Sequence, residues 1–199
     1  MAIKSTKQAL SSVIALAMML PVAAWAELQR AAVAVQASLS LEQAWQKLED
    51  FSTPHNYVPG IVRTEIVSEV KKGVGAHRRV YDEDGDFLEE TVIEWNDGQG
   101  FVIKLHDGDQ PMAPFERAQF RYQLAQQGQD TQIALSLAFE MPWGGFGQAI
   151  GNWIILPGME GRLIQVAAGM KHYYETGTVA TEADRERLAG GVTVLPAGQ

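Results

Sequence analysis

The chain has 199 residues, 46% of them hydrophobic and 20% charged, with 16 Lys and Arg against 24 Asp and Glu. That composition supplies enough apolar side chain to offset chain entropy, so disorder is excluded as the main state. The net charge of −8 repels nucleic acid at long range, and the absence of cysteine excludes disulfide scaffolds, thiolate metal sites and a cysteine nucleophile.

Residues 1–26 have the pattern of a secretory signal peptide. Lys4 and Lys7 supply a positive start, Ala9 to Leu20 form an apolar run broken only by Ser11 and Ser12, and Ala24-Trp25-Ala26 follows Pro21 as a small-x-small cleavage pattern. The run is shorter than the ~20 residues that cross a bilayer, so no stable membrane anchor is expected after cleavage. A periplasmic or secreted protein is the expectation, with 14 basic against 24 acidic side chains after cleavage, a net charge of −10. Residues 27–177 suit one domain with one core, and 178–199 are polar and glycine-containing, expected to form a flexible tail.

Within the domain, Arg30 to Leu39 predicts a strand, with Val33, Val35, Ala37 and Leu39 at alternate positions. Ser40 and Gln43 form a capping box opening a helix whose apolar stripe is Leu41, Ala44, Trp45, Leu48 and Phe51, and Pro54, Pro59 and Gly60 end it in an irregular turn. Period 2 then dominates from Ile61 to Met141. It predicts strands over Ile61–Val70, Gly75–Asp82, Phe87–Trp95, Phe101–His106, Phe115–Ala125 and Thr131–Phe139, separated by glycine turns. Consecutive strands of this kind make a curved antiparallel meander. A long helix from about Phe146 to Tyr174 closes the chain, kinked or divided at Pro157-Gly158.

One rod laid across a curved sheet covers the rim better than the centre, so a cavity is expected between them. Beyond the charged residues that recur on the strands at positions expected to point inward, two further features favour it. Gly147, Gly151, Gly158, Gly161 and Gly169 each cost the covering helix about 1 kcal/mol relative to alanine, which calls for close approach or mobility. Trp143 and Phe146 flank Gly144-Gly145 in the manner of a hinged aromatic gate.

The order of these elements, over about Arg30 to Glu175, resembles the START-like, SRPBCC or helix-grip superfamily, which includes polyketide-cyclase-like and lipid-transfer proteins. Three segments carry the likeness: the helix start Ser40-Leu41-Glu42-Gln43-Ala44-Trp45, Gly75-Ala76-His77-Arg78 as a G-x-x-R strand, and Glu90-Thr91-Val92-Ile93-Glu94-Trp95-Asn96-Asp97 as an E-x-L strand leading to an acidic turn. The resemblance implies an α+β helix-grip fold, a curved antiparallel sheet around a long C-terminal helix, and a cavity for a hydrophobic ligand.

Arg78 and Glu90 are the most informative polar residues. A two-residue loop at Asp84-Gly85 sets Arg79 opposite Glu90; a three-residue loop of Glu83, Asp84 and Gly85 sets Arg78 there instead, the register the family pattern favours. Arg78, Glu90 and Glu94 would then form a polar end on the concave face, orienting a ligand headgroup or fixing strand register. Walls are expected from Phe101, Ile103, Phe120 and Tyr122, from Leu135, Leu137 and Phe139, and from Trp153 and Ile154 of the helix.

His55, His77, His106 and His172 lack metal-ligand spacing, and the Asp82–Asp86 run has Ile93 where a calcium loop needs its twelfth carboxylate. The glycines at 145–151 lack the βαβ context of a dinucleotide loop, and no serine sits in a nucleophile elbow. No metal, cofactor or catalytic residue is implied. The expected protein binds or transports a lipid- or isoprenoid-like ligand, with at most transient membrane contact. The alternative is a cyclase- or aromatase-like enzyme using Glu90, Glu94 or Tyr122 for proton transfer.

Overall fold

A computed structural model describes residues 28–196. The leader-like segment 1–26 lies outside the described residues. The chain opens with strand β1 (Gln29–Ala37) and helix α1 (Leu41–Leu48), followed by a 3-10 turn at Pro54–Asn56. The predicted capping box is present: Ser40 Oγ accepts from the Gln43 amide at 3.2 Å while Gln43 Oε1 accepts from the Ser40 amide at 3.0 Å. Then come β2 (Arg63–Ile66), β3 (His77–Tyr81), β4 (Phe87–Asn96), β5 (Gly100–Asp107), β6 (Gln110–Pro111), β7 (Arg117–Gln127) and β8 (Asp130–Glu140). Helix α2 (Gly144–Ile150), a π-helical turn (Gly151–Ile155) and α3 (Leu156–Thr176) form the closing helix, followed by α4 (Glu182–Ala189) and β9 (Thr193–Val194).

Among the described residues these strands make one open antiparallel sheet in the order β2-β3-β4-β5-β7-β8-β1-β9, with β6 beside β5. Helix α3 packs against β1 and β8. This is the expected α+β helix-grip architecture.

The β3–β4 register sets Arg78 opposite Glu90, as a three-residue loop closed by a left-handed Gly85 requires. The Asp82 amide donates to the Asp86 carbonyl at 3.0 Å, and the Asp82 carboxylate accepts from the Asp84 and Asp86 amides, so this acidic run is occupied in holding its own turn.

Four expectations are corrected. The strand expected over 61–70 shrinks to Arg63–Ile66, because Ser68 and the left-handed Gly73 and Gly75 turn the following segment away from the sheet. In β4 a bulge between Val92 and Glu94 inserts one residue and reverses the alternation beyond it. Glu94 therefore leaves the concave side and pairs with Arg121 at 3.1 Å on the outer face, while Trp95 turns inward. The closing helix is one run widened by a π turn: Pro157 cannot donate, and the Leu156 amide reaches the Gly151 carbonyl instead. Finally, within the tail expected over 178–199, Thr181 and Asp184 cap a helix packed on α3, and β9 pairs with β1 at Val33 and Ala34.

Close approach explains part of the glycine content of the closing helix. A Cβ on Gly169 would lie 2.2 Å from the Tyr57 carbonyl oxygen, so α3 reaches the turn after α1 only with glycine there. At Gly158 and Gly161 there is open space, and no packing reason for glycine is seen.

Candidate functional site

Part of the space between sheet and helix is filled. Helix α1 brings Trp45 and, three residues past its end, Phe51 onto the concave face, where the bulge has placed Trp95. Trp45 meets Trp95 edge-on at 5.1 Å, Trp95 stacks on Phe101 at 5.3 Å, and Phe51 meets Phe101 edge-on at 5.8 Å. Aromatic edge-to-face and stacked pairs of this kind make a dense plug.

Beside the plug lies a cavity of about 360 Å³. Its sheet side is Val80, Leu88, Leu105, Phe120 and Leu137; its helix side is Met159, Leu163 and Val166 of α3. Pro54, Val58 and Ile61 close one end, and the apolar turn Met112–Phe115 between β6 and β7 closes another. The charged residues bordering it are Glu90 and Arg162. The exposed Arg162 donates to the Pro59 carbonyl at 3.5 Å.

The polar end is built behind Glu90. Arg78 is 1% exposed, and its Nε and Nη2 both donate to Glu90 Oε2. Nη1 donates to the Phe51 carbonyl at 2.8 Å, Nη2 also reaches the Tyr122 hydroxyl at 3.5 Å, and the guanidinium lies 3.9 Å from the Phe51 ring centre. Burial disfavours the charge on Arg78, but the Glu90 carboxylate more than offsets it and the guanidinium stays ionised. Burial raises the pKa values of Tyr57, Tyr122 and Tyr174, which keeps all three hydroxyls protonated at neutral pH. The Tyr174 hydroxyl is buried with no hydrogen-bond partner among the described residues.

Of the residues expected at the site, Glu90, Phe120, Tyr122 and Leu137 border the cavity, with Arg78 directly behind Glu90. Phe101, Ile103, Leu135 and Phe139 face inward but lie in filled core: Phe101 belongs to the aromatic plug, and Phe139 packs on Phe115 at 4.9 Å. Glu94 is outside for the reason given above. Ile154 is 68% exposed and does not border the cavity, and the side chain of Trp153 lies outside the described ones. The expected gate residues Trp143 and Phe146 are exposed on the outside, with Trp143 in a left-handed conformation at φ 72°.

Sequence reasoning missed Met112–Phe115, Pro54, Val58, Ile61, Leu105, Met159 and Arg162. The signal available for the first was four apolar residues in a turn, where a solvated connection has no use for them.

The histidines are engaged locally. His55 bonds Thr64 at 3.2 Å, His172 bonds Thr178 at 2.9 Å, and His106 bonds Thr91 and the Gly108 carbonyl, each at 2.8 Å. His77 and His106 flank the buried Glu89 at 3.6 and 3.7 Å on the outer face. Among the described residues no cluster of His, Asp or Glu fits a metal ion, and no helix is long and apolar enough to cross a membrane.

Residues 29–179 match a family model described as polyketide cyclase/dehydrase and lipid transport. No curated protein matches the chain in sequence. Among solved structures the fold is similar to that of Ara h 8.0201, at 13% identity and a TM-score of 0.56, over 74% of this chain and 97% of that one. It is also similar to TTHA0849 from Thermus thermophilus, at 16% identity and a TM-score of 0.56, over 73% of this chain and 97% of that one. DynU16, from the dynemicin biosynthetic locus, aligns at 15% identity and a TM-score of 0.54, over 75% of this chain and 48% of that one.

Proposed function

The chain belongs to the polyketide cyclase/dehydrase and lipid transport family, and on that premise we propose that it binds or ferries a small lipid- or isoprenoid-like molecule in the periplasm or outside the cell. The observation that carries this function is the apolar cavity of about 360 Å³ with a single buried polar end. An apolar cavity of ~150 Å³ already takes up benzene, and ligand pockets of a few hundred Å³ are ordinary. Burial of one methylene contributes roughly 0.8 kcal/mol, so a ten-carbon chain gains about 8 kcal/mol before ordering costs.

Export is supported by the leader-like residues 1–26. Transient contact with a neutral lipid surface is supported by residues 143–158, which carry no charged side chain and expose Trp143, Phe146 and Ile154.

Mass spectrometry of material extracted from the protein purified from its natural compartment tests the proposal. A stoichiometric hydrophobic molecule is expected. Protein that arrives empty and binds no added hydrophobe refutes carriage. A cyclase-like enzyme is the second function, favoured by Glu90 and Tyr122 standing together at the cavity wall, and turnover of a polyketide-like substrate would establish it. The protonated phenol of Tyr122 suits it to donate a hydrogen bond there and unsuits it to act as a base.

A further inference from the structure

The inner end of the cavity is more selective than its apolar walls. Arg78 does not itself border the cavity and is 1% exposed, and its Nε, Nη1 and Nη2 already donate to Glu90 Oε2, the Phe51 carbonyl and the Tyr122 oxygen. The arginine is therefore screened from a ligand anion by the groups it holds. Glu90 borders the cavity, and among the described residues its second oxygen, Oε1, receives no hydrogen bond. The Tyr122 oxygen accepts from Arg78 Nη2 at 3.5 Å, which leaves its own O–H to donate. Glu90 and Tyr122 both reach the same guanidinium nitrogen, Nη2, so this acceptor and this donor are side by side.

We propose that this end recognises a hydroxyl group, so that the preferred ligands are apolar alcohols or phenols held hydroxyl-inward, the O–H donating to Glu90 Oε1 and its oxygen accepting from Tyr122. A ketone meets only the Tyr122 donor. A carboxylate is repelled by Glu90 and is turned toward the mouth, where Arg162 stands. This rests on the ligand-binding role proposed above and names the chemistry of the ligand within it.

Glu90→Gln is the discriminating variant. Arg78 presents only donors, so the side-chain amide introduced by Glu90→Gln must turn its oxygen to Arg78 and its NH₂ to the cavity, converting the free acceptor into a donor. The assay is displacement of the neutral fluorescent hydrophobe N-phenyl-1-naphthylamine by 1-decanol and by 2-decanone. The wild-type protein is expected to bind the alcohol about tenfold more tightly, as a hydrogen bond to a buried carboxylate implies. Glu90→Gln abolishes or reverses that preference. Tyr122→Phe weakens alcohol and ketone alike, since each loses the phenol donor, and keeps the preference for the alcohol; a preference lost in folded Tyr122→Phe overturns recognition by Glu90, which keeps a second readout if Glu90→Gln does not fold. Probe binding with equal affinity for the two ligands in the wild type, or a preference unchanged in folded Glu90→Gln, overturns hydroxyl recognition alone. Failure of the probe and both ligands to bind overturns the ligand-binding role as well.

Discussion

The cavity should act as a ruler for alkyl chains. Within a homologous series each added methylene that finds apolar wall contributes about 0.8 kcal/mol, close to fourfold in Kd. The rise must stop when the space is full. Scaling from a benzene-sized cavity of ~150 Å³, six carbons, the 360 Å³ of this cavity is filled by about 14 carbons. Leu137 borders the cavity from β8, and Leu137→Trp adds about six non-hydrogen atoms to a lining that packs at protein density, moving the break to about eight carbons. The assay is displacement of N-phenyl-1-naphthylamine by straight-chain alcohols of six to about 18 carbons, with circular dichroism confirming that the variant is folded. A gain below about twofold per methylene refutes burial in a preformed apolar cavity. A break that Leu137→Trp leaves in place refutes its location.

Two further outcomes concern the fold. Glu90→Leu leaves the Arg78 cation buried and unpaired and is expected to cost about 3–5 kcal/mol in urea unfolding, whereas Arg78→Met combined with Glu90→Leu recovers most of that loss; a single-variant cost below about 1 kcal/mol contradicts the pair's burial. Acid should weaken the protein in two stages. Burial holds the His77 pKa below the usual histidine value, so the unfolded chain takes up a proton that the folded chain refuses, and stability falls as pH drops below about 6.5. Burial raises the Glu89 carboxyl, but Arg79 and the Gly108 amide outweigh it and hold the pKa low, so its contribution is present above the unfolded carboxylate value of about 4.3 and is lost as pH falls through the folded one. Urea midpoints between pH 7.5 and 4 should fall in the wild type, with the first stage missing in His77→Gln; identical profiles for the two proteins would disprove the assignment.

What was legible in the sequence was local. Alternation and punctuation placed the strands, Ser40 and Gln43 marked a helix start, and the resemblance to the family pattern chose between two registers for Arg78. Glu94 shows where such reasoning ends. Leu88, Glu90, Val92 and Glu94 alternate without interruption, and the bulge that breaks their common face sets the Trp95 indole against Trp45 and Phe101. Of these partners Trp45 is distant in the chain, and a local pattern does not reveal it. The same holds for the cavity: Phe101 and Phe120 look alike in a period-2 pattern, and only the arrival of Phe51 and Trp45 from α1 decides that one is plugged and the other open. Thr181 and Asp184, by contrast, were a readable helix start within a segment whose polarity suggested no fixed structure.

The short strand β9 has a role out of proportion to its two residues. It lies along β1 at Val33 and Ala34, and the Leu195 amide donates to the Ala32 carbonyl at 2.8 Å. Without it, the apolar β1 would present a bare rim of backbone amides and carbonyls, the template on which a neighbouring copy can extend the sheet. The segment after α4 is in that sense a selvedge: clipping it would leave the apolar cavity whole, yet expose the molecule to self-association.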